Sequence, residues 1–438
     1  MEVKRLGSTL VRATPERKMQ GLEERIPLTI FDQAASNLVI NVLLAFSPPT
    51  PNNDSMKSAL AKALANFPLL TGRLSAADHE DKHPCVILAA DACVPVFEAN
   101  VVDCSELADL HLHEPSAELS KLQPPMEATN QQVMAIQLNR LDCGGLVVAV
   151  SSNHKVADGQ SMSSFLVAWG KVLRGKEIEP MPLHDRSLFA PRDPPVCEFP
   201  HERVEFTMER NHVPRVLPED QPVVNIVVHY ADEFLKKMRE TASQASGDDR
   251  LTRFQCLAAH VWRKLTIARR LEETEKVNIR IAVNGRPRLM FPEEFFGNLV
   301  LCAYPSATVK ELLQKDGLGH ALKAIKDAVG QMDRRYFQSF IDFGELTKGE
   351  KLIPAPEVEG DLLSPNVEID SWLTFHFHQI DIGGGSAIYA FTPSWIPVEG
   401  VAIFVPASSS KNMGGVNVHL SLLAHQAEIF RNIAHSLE

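Results

Sequence analysis

Uninterrupted apolar runs rich in β-branched residues recur along the chain, and each predicts a buried strand. The runs are LVINVLLAF (38–46), LVVAVSSN (146–153), VVNIVVHY (223–230), RIAVNG (280–285), NLVLCAYP (298–305), SWLTFHFHQI (371–380) and VAIFVPA (401–407). Helical segments fit between them, so the pattern indicates a mixed α/β fold.

Helix signals lie between these strands. Asp54 or Ser55 can cap a helix after the first run, and Thr252 and Gln255 have the spacing of a capping box. An amphipathic segment near residues 160–174 follows the strand LVVAVSSN. A strand end that leads into a helix is a natural rim for a reaction site.

The chain divides at a proline-rich stretch. Its 438 residues are too many for one ordinary core, so two domains of roughly 200 residues each are expected. Nine prolines between Pro180 and Pro222 exclude a core helix or a central strand there. We predict an N-terminal domain over 1–179, an extended crossover over 180–222 and a C-terminal domain over 223–438.

Composition narrows the class of protein. A net charge of −11 argues against a nucleic-acid surface, which needs Lys and Arg in excess. No apolar run approaches the length of a membrane span, and MEVKRLGSTLVRATPERK lacks the apolar region of a secretory signal. The seven cysteines form no CxxC pair and are expected to be buried, reduced thiols. These features favour a cytoplasmic protein, which we expect to be a monomer.

His154 and Asp158 lie four residues apart in SSNHKVADGQ, at the end of a predicted strand. A zinc site would need three or four clustered ligands, and a serine hydrolase would need a GxSxG elbow. The segment offers neither. The chemistry that remains is a histidine general base, with Asp158 either orienting it or forming a structural ion pair. An isolated histidine at a strand end is, however, more often structural.

A second segment of interest is SPNVEIDSWLTFHFHQIDIGGG (364–385). Considered alone, Asp381 and the three glycines after Ile382 indicate a sharp turn that needs positive φ. Considered alone, Trp372 indicates core packing.

Together the two segments resemble the plant BAHD acyltransferases, which use acyl-CoA donors. The HxxxDG motif of that family matches residues 154–159, whereas its DFGWG motif matches residues 381–385 only in part, as DIGGG. FPLLTGRL, AAHVWR, VNGRPR and FGNLV also resemble family segments, in the family's order. The likeness is greatest to grass N-hydroxycinnamoyltransferases that acylate agmatine, putrescine or tryptamine.

The resemblance implies a two-domain, chloramphenicol-acetyltransferase-like fold with mixed sheets, flanking helices and an active-site channel at the domain interface. His154 would be the general base and Trp372 a donor to the oxyanion. Acyl-CoA would be a co-substrate, with no metal and no cofactor, and its phosphates would meet Thr252 and Arg253 at a helix N-terminus.

The motif residues other than His154 would be structural. Asp158 would point away from the chamber and pair with Arg286 or Arg288. The remaining structural residues of the two motifs would be Gly159, Asp381, Gly383 and Gly385.

Two carboxylates favour an amine as the acyl acceptor. Side chains alternate along a strand, so Glu368, Asp370 and Trp372 share one face. If Trp372 borders the chamber, the two carboxylates raise each other's pKa unless a cation joins them. They either hold a cationic acceptor, with Asp32 contributing, or form a solvated strand end.

The acceptor's own chemistry narrows the choice further. An attacking amine must be neutral, so a carboxylate is better placed on a distal cation, as in putrescine or agmatine, than on tryptamine. Thr374 stands where shikimate-using relatives carry an arginine, which disfavours that acceptor. The alternatives are an O-acyltransferase that acetylates or malonylates a hydroxyl, and a ligand-binding member without catalysis.

Overall fold

The structure is a computed structural model. It describes residues 1–15, 23–75, 84–102, 104, 106–112, 116–125, 132–207, 221–350, 352–355, 363–383, 388–394, 398–407 and 414–437.

Eighteen strands occur in these ranges: β1 (Glu2–Val11), β2 (Glu23–Pro27), β3 (Val39–Phe46), β4 (Arg73–Leu74), β5 (Cys85–Ala89), β6 (Val94–Val102), β7 (Met134–Leu141), β8 (Leu146–Asn153), β9 (Phe206–Thr207), β10 (Val223–Tyr230), β11 (Lys276–Asn284), β12 (Val300–Ala303), β13 (Ser306–Thr308), β14 (Ile353–Pro354), β15 (Val367–Ser371), β16 (Ile388–Ser394), β17 (Val401–Pro406) and β18 (Val416–Leu423).

The α-helices of the described part are α1 (Ile30–Ala34), α2 (Asn53–Leu64), α3 (Gly159–Leu173), α4 (Asp232–Ser246), α5 (Arg253–Arg269), α6 (Arg286–Leu289), α7 (Val309–Leu313), α8 (Gly317–Gln331), α9 (Arg334–Leu346) and α10 (Ala424–Ile433).

Local sequence sets several helix starts. Thr252 and Gln255 form the expected reciprocal capping box at α5. At α2 the cap is Asn52 rather than Asp54 or Ser55, because the Asn52 side chain accepts from the Ser55 amide at 2.8 Å. The apolar runs at β3, β8, β10 and β17 are strands as predicted.

The first large sheet has the strand order β1-β6-β7-β8-β3-β16. Helices α2 and α3 pack on one face of it, where Leu60, Phe165 and Trp169 lie in a core shared with β3, β7 and β8. The opposite face is covered by two 3₁₀ helices, Leu107–Leu110 and Ala117–Leu122. Successive side chains of β3 and β8 point alternately into the cores on the two faces of the sheet, as expected for buried strands.

The second large sheet has the order β10-β18-β17-β15-β11-β12, with β13 beside β11. One face is apolar and packs against α4, α5, α8 and α10. The other face carries Ile403 and Val405, which belong to the core of the first sheet. The two sheets therefore meet across this second face.

The predicted division of the chain does not account for residues 376–383 and 388–394. Although they follow the crossover, they pack with the first sheet: β16 pairs with β3 over Ile388–Ser394, and Phe377 and Ile380 enter its core. The described part of the crossover, 180–207, contains no helix or strand longer than three residues.

Cysteine placement departs from the expectation of burial at three positions, because Cys143 and Cys302 are only partly buried and Cys197 is exposed. All seven cysteines are free, and those at 85, 93, 104 and 256 are buried. Cys197, in the crossover, is exposed. Within the described ranges, no helix has both the length and the apolarity that a membrane span requires.

A buried ion pair joins the two sheets at the start of α3. Arg286 Nη1 donates to Asp158 Oδ2 at 2.8 Å, with both side chains at most 3% exposed. Asp158 also caps α3 through the Ser161 amide and accepts from the Leu299 amide at 3.1 Å. Of the two arginines considered, Arg286 is the partner, while Arg288 donates to the Val329 carbonyl.

The hydrogen bonds and the counter-charge around the carboxyl of Asp158 keep it ionised. Burial alone would raise its pKa, but Arg286 and the Ser161 and Leu299 amides outweigh burial and hold the pKa below its usual value. All of its hydrogen bonds go to these groups, and none is formed with the His154 ring.

Asp158→Asn is expected to lower the free energy of unfolding by about 3–5 kcal/mol, because it leaves Arg286 buried without a counter-charge. The melting temperature should fall by roughly 5–15 °C. Asp381→Asn is the matched control, since its ion pair with Arg174 is 44% exposed on the aspartate side and should contribute less than about 1 kcal/mol.

The contribution of Asp158 to the free energy of unfolding depends on pH. Because the folded pKa of Asp158 is depressed, its stabilisation is complete above the unfolded pKa of about 4 and is lost as the pH falls through the folded value. The difference between wild type and Asp158→Asn should therefore shrink in acid. Equal melting temperatures at neutral pH would contradict this role.

Candidate active site

His154 lies in the turn between β8 and α3, and its backbone is fixed at both ends. Its amide donates to the Leu38 carbonyl at 2.9 Å, and its carbonyl accepts from Asn298 Nδ2 at 2.9 Å. The half-buried imidazole has no hydrogen-bond partner at Nδ1 among the described residues. The position of the ring is thus set by the backbone on both sides of it, and no described residue engages its Nδ1.

Gly159 lets an aromatic ring approach this turn. A Cβ at Gly159 would lie 2.3 Å from Phe375, so any larger residue would displace that ring. The Phe375 ring is 6.3 Å from that of Trp372, and the His376 amide donates to Ser163 on α3 at 2.8 Å. The segment that carries Trp372 therefore packs directly on the helix that follows His154.

Trp372 lies just beyond a strand rather than inside one. The strand predicted over 371–380 is wrong: β15 covers Val367–Ser371, and a turn and a 3₁₀ helix at His376–Gln379 follow it. The Trp372 ring contacts Phe375, Phe377 and Phe391, with centroids 5.5–6.3 Å apart. This half-buried cluster fixes the indole at the junction of the two sheets.

The face of the second sheet that meets the first sheet carries two carboxylates in addition to Ile403 and Val405. Glu368 and Asp370 lie on it, two residues apart on β15, while Val367 and Ile369 point into the apolar core behind. Ala282 on β11 is exposed on the same face although its neighbours Ile281 and Val283 are buried. Solvent therefore reaches this face at Ala282, while the side chains of Glu368 and Asp370 are half-buried.

A cation of the protein itself already contacts one of these carboxylates. Arg280 on β11 is the register partner of Glu368, and Arg280 Nη2 is bonded to Glu368 Oε2. Asp370 makes no hydrogen bond or ion pair with another described residue. Burial and then the charge of Glu368 raise the pKa of Asp370 to about 7, against the opposing effect of Arg280.

Asp32 does not reach this face, and its assignment to the acceptor pocket is corrected. Its side chain is fully buried, and Oδ2 accepts from the Thr29 amide and from Arg186 Nη1 at 2.7 Å. Its Oδ1 accepts from the backbone and side chain of Asn298 at 3.1 and 3.0 Å. Both oxygens are therefore engaged within the fold.

Asp381, the first residue of DIGGG, lies at the far end of α3 from His154, roughly 20 Å along the helix. Asp381 pairs with Arg174 at 2.6 Å and accepts from the Gly383 amide at 2.8 Å. Gly383 has φ of +86°, as expected for a turn glycine. Gly385 lies outside the described residues.

Thr252 and Arg253 lie at the exposed N-terminus of α5. The Thr252 hydroxyl is engaged in the capping box, while Arg253 donates to the Gly414 carbonyl at 2.6 Å and to Asp232 at 3.1 Å. The neighbouring ring of Phe254 is 5.9 Å from Phe404 on β17. The Phe404 carbonyl in turn accepts from the Trp372 amide. Phe404 therefore contacts both the N-terminus of α5, through its ring, and the residue that carries the indole, through its backbone.

A separate cleft of about 200 Å³ runs along α3, and Gln160, Lys171, Ile178 and Glu293 are among its lining residues. Neither His154 nor Trp372 lines it. Among the described residues, no cluster of three His, Cys, Asp or Glu side chains is placed to bind a metal ion. Trp372 instead lies where the two sheets meet, on the segment that packs on α3 through Phe375 and His376.

Sequence reasoning missed Asn298 and Arg280. An arginine inside the apolar run RIAVNG is a readable signal, because an ionisable residue on a buried strand requires a partner. Asn298, in FGNLV, had no comparable signal, since its role depends on a contact 144 residues away.

Comparison with known proteins places this geometry in a family. A family model described as the transferase family matches residues 2–436. A tryptamine hydroxycinnamoyltransferase 2 of Oryza sativa subsp. japonica is 38% identical over 98% of both chains. A putrescine hydroxycinnamoyltransferase 3 of the same organism is 38% identical over the full length of both, and agmatine coumaroyltransferase-1 of Hordeum vulgare is 36% identical over 94% of both.

Solved structures share the fold. Vinorine synthase superposes with a TM-score of 0.72 at 19% identity, covering 98% of this chain and 96% of that one. F. sporotrichioides TRI101, solved with coenzyme A and T-2, gives 0.75 at 15% identity, covering 93% and 97%. The two-domain acyltransferase fold implied by the sequence motifs is thus confirmed, and the chain belongs to the transferase family of acyl-CoA-dependent BAHD acyltransferases.

Proposed function

We propose that this protein transfers a hydroxycinnamoyl group from its CoA thioester to an amine that carries a second, distal cation, such as putrescine or agmatine. The observation that carries the proposal is the acidic patch of Glu368 and Asp370 beside Trp372, on the face where the two sheets meet. Relatives at 36–38% identity bear the names of putrescine, agmatine and tryptamine hydroxycinnamoyl- or coumaroyltransferases.

The reaction follows from the placement of His154. Its imidazole takes a proton from the amine as the nitrogen attacks the thioester carbonyl, and the Trp372 indole N–H is the candidate donor to the oxyanion. Collapse of the tetrahedral intermediate forms the amide and breaks the C–S bond, releasing CoA as a thiolate that then takes up the proton. No covalent acyl-enzyme is needed, because the thiolate is a good leaving group.

The carboxylates serve the far end of the acceptor rather than the reacting end. A free alkylamine has a pKa near ~10 and must be neutral when it attacks. A carboxylate on that nitrogen would stabilise its protonated form and slow the reaction. Asp370, which has no partner among the described residues, is therefore assigned to a distal ammonium or guanidinium.

CoA is assigned to the N-terminus of α5, on the opposite face of the second sheet from Glu368 and Asp370, where Phe254 packs against Phe404 of β17. The exposed N-terminus of α5 offers unpaired amides, and Arg253 offers a guanidinium 46% exposed to solvent. This placement brings phosphates to Thr252 and Arg253 while the thioester extends towards the aromatic cluster at Trp372. Donor and acceptor then approach His154 from different sides of the second sheet.

A panel of donors and acceptors tests the function directly. We expect amide formation from p-coumaroyl-CoA with putrescine or agmatine, measured by mass spectrometry, and a 10²–10⁴-fold lower kcat for His154→Ala. Near-normal CoA binding and melting temperature of the variant serve as its folding control. Products only from hydroxyl acceptors with acetyl- or malonyl-CoA would identify an O-acyltransferase instead, and no turnover would indicate a binding protein.

Asp370→Asn should raise KM for putrescine and agmatine at least tenfold at pH 8, because loss of a charge pair in a cleft costs roughly 2–5 kcal/mol. KM for tryptamine should change much less, since that amine has no distal cation, and KM for acyl-CoA should stay constant. Steady-state kinetics on the three amines check this. Equal losses for putrescine and tryptamine would place Asp370 at the attacking nitrogen or in the fold.

The acceptor preference should also depend on pH. Because the pKa of Asp370 is raised to about 7, its carboxyl is neutral below and anionic above that pH. The ratio of kcat/KM for putrescine to that for tryptamine should therefore rise between pH 6 and pH 8. Both amines ionise near ~10, so ionisation of the attacking nitrogen largely cancels in the ratio. In Asp370→Asn the ratio should be flat, and a flat ratio in the wild type would refute the assignment.

A further inference from the structure

The cleft along α3 lies outside the reaction site, and hydrogen bonds within the protein hold its walls together. At one end of the cleft, Gln160 Nε2 donates to the Glu293 carbonyl at 3.1 Å. At the other end, Lys171 Nζ donates to the Glu179 carbonyl. The walls on both sides are therefore fixed without any ligand, as is usual for small-molecule sites.

Much of the lining of this cleft is apolar. Five buried side chains contribute to it: Phe67, Val167, Ala168, Ile178 and Phe296. The cleft has a volume of about 200 Å³. A cavity of about 150 Å³ with a comparable lining holds one benzene molecule. The cleft therefore has room for one aromatic ring and a short chain attached to it.

The charged side chains of the cleft are mostly carboxylates. Three carboxylates and one ammonium line it, those of Glu179, Glu293, Glu294 and Lys171. Within the described part of the chain, none of the three carboxylates forms a hydrogen bond or an ion pair. Glu294 is half-buried, while Glu179 and Glu293 are exposed. The excess of negative charge favours a cationic ligand over an anionic one.

These charges are separated along α3. The end fixed by Gln160 carries Glu293 and Glu294, and Lys171 lies roughly 16 Å further along the helix axis. At the Lys171 end, the charges of Lys171 and Glu179 offset each other. A ligand gains from one cation at Glu293 and Glu294, whereas a second cation further along gains little because the ammonium of Lys171 repels it.

We propose that this cleft is a second binding site, which takes one primary arylalkylamine such as phenethylamine. Its ammonium binds at Glu293 and Glu294, and its ring lies on the apolar lining near Val167 and Ile178. The inference goes beyond the proposed function, because the site uses none of the groups assigned there to acyl transfer. Its ligand has one cation and a ring, in contrast to the diamine assigned to the reaction site.

The experiment measures phenethylamine binding by NMR of isoleucine methyl groups in the 438-residue protein without acyl-CoA. A ring on the apolar lining should shift the Ile178 methyl resonance through its ring current, with saturation at millimolar concentration or below. The variant Ile178→Val assigns that resonance. 2-Phenylethanol has the ring without the charge, and putrescine has two cations without a ring. Each should bind at least about threefold more weakly.

Two sets of variants locate the bound amine. Glu293→Gln combined with Glu294→Gln should weaken phenethylamine binding about three- to thirtyfold, the range for two partly exposed ion pairs. The matched control for net charge is Glu240→Gln combined with Glu428→Gln, since both positions are exposed on helices. Ser164→Trp places a large side chain in the cleft from a half-buried position of α3 and should abolish the shift.

Several results would overturn the proposal. These are an Ile178 resonance that does not shift, equal binding by wild type and the Glu293 and Glu294 double variant, and putrescine binding as tight as that of phenethylamine. Loss of the shift in Asp370→Asn would place the amine at the acceptor site instead. Because acyl-CoA is absent, the result stands whether or not the protein acylates amines.

Discussion

The ion pair of Asp158 with Arg286 is the constraint on which the geometry of the site depends. Two charges removed from water are tolerated only when each is fully bonded, and here the carboxylate receives the guanidinium and two backbone amides. The pair joins the start of α3, in the first sheet's layer, to the end of β11 in the second sheet. His154 lies one turn before α3, and its carbonyl accepts from Asn298, which comes just before β12. Both oxygens of the carboxylate accept hydrogen bonds within this pair and its amides, so the carboxylate does not orient the imidazole.

The elements that could be predicted from the sequence are those whose own residues determine them. β8 and β10 are continuous apolar runs, and the capping box at α5 is a local pair, so all three were read correctly. β1 was missed because it is an edge strand with nearly every side chain exposed, so its sequence shows no apolar period. Aromatic residues after Ser371 suggested a strand, but their β-propensity reflects packing on a half-buried surface, which the cluster around Trp372 supplies without a strand.

For the site, the motif located the histidine but not its surroundings. Thr29 and Asp32 have capping-box spacing, a local signal that would have identified Asp32 as a helix-start residue. The shared face of Glu368 and Asp370 followed from strand alternation alone. That only Glu368 pairs with Arg280 could not be predicted from the sequence. The pair depends on the register of β11 with β15, and its two residues are 88 positions apart in the chain.

The pairing of β16, from the second half of the chain, with β3 in the first sheet affects folding during translation. β3 is an inner strand only because β16 covers it, and β16 ends at Ser394, long after the other strands of that sheet have been synthesised. While the ribosome is still translating the second half, the nascent first half exposes the unpaired edge of an apolar strand, and such an edge is prone to pair with other chains. Folding of the two layers is therefore coupled in time: the N-terminal layer cannot close until most of the C-terminal sequence has emerged. A fragment ending at residue 179 would carry the same open edge permanently.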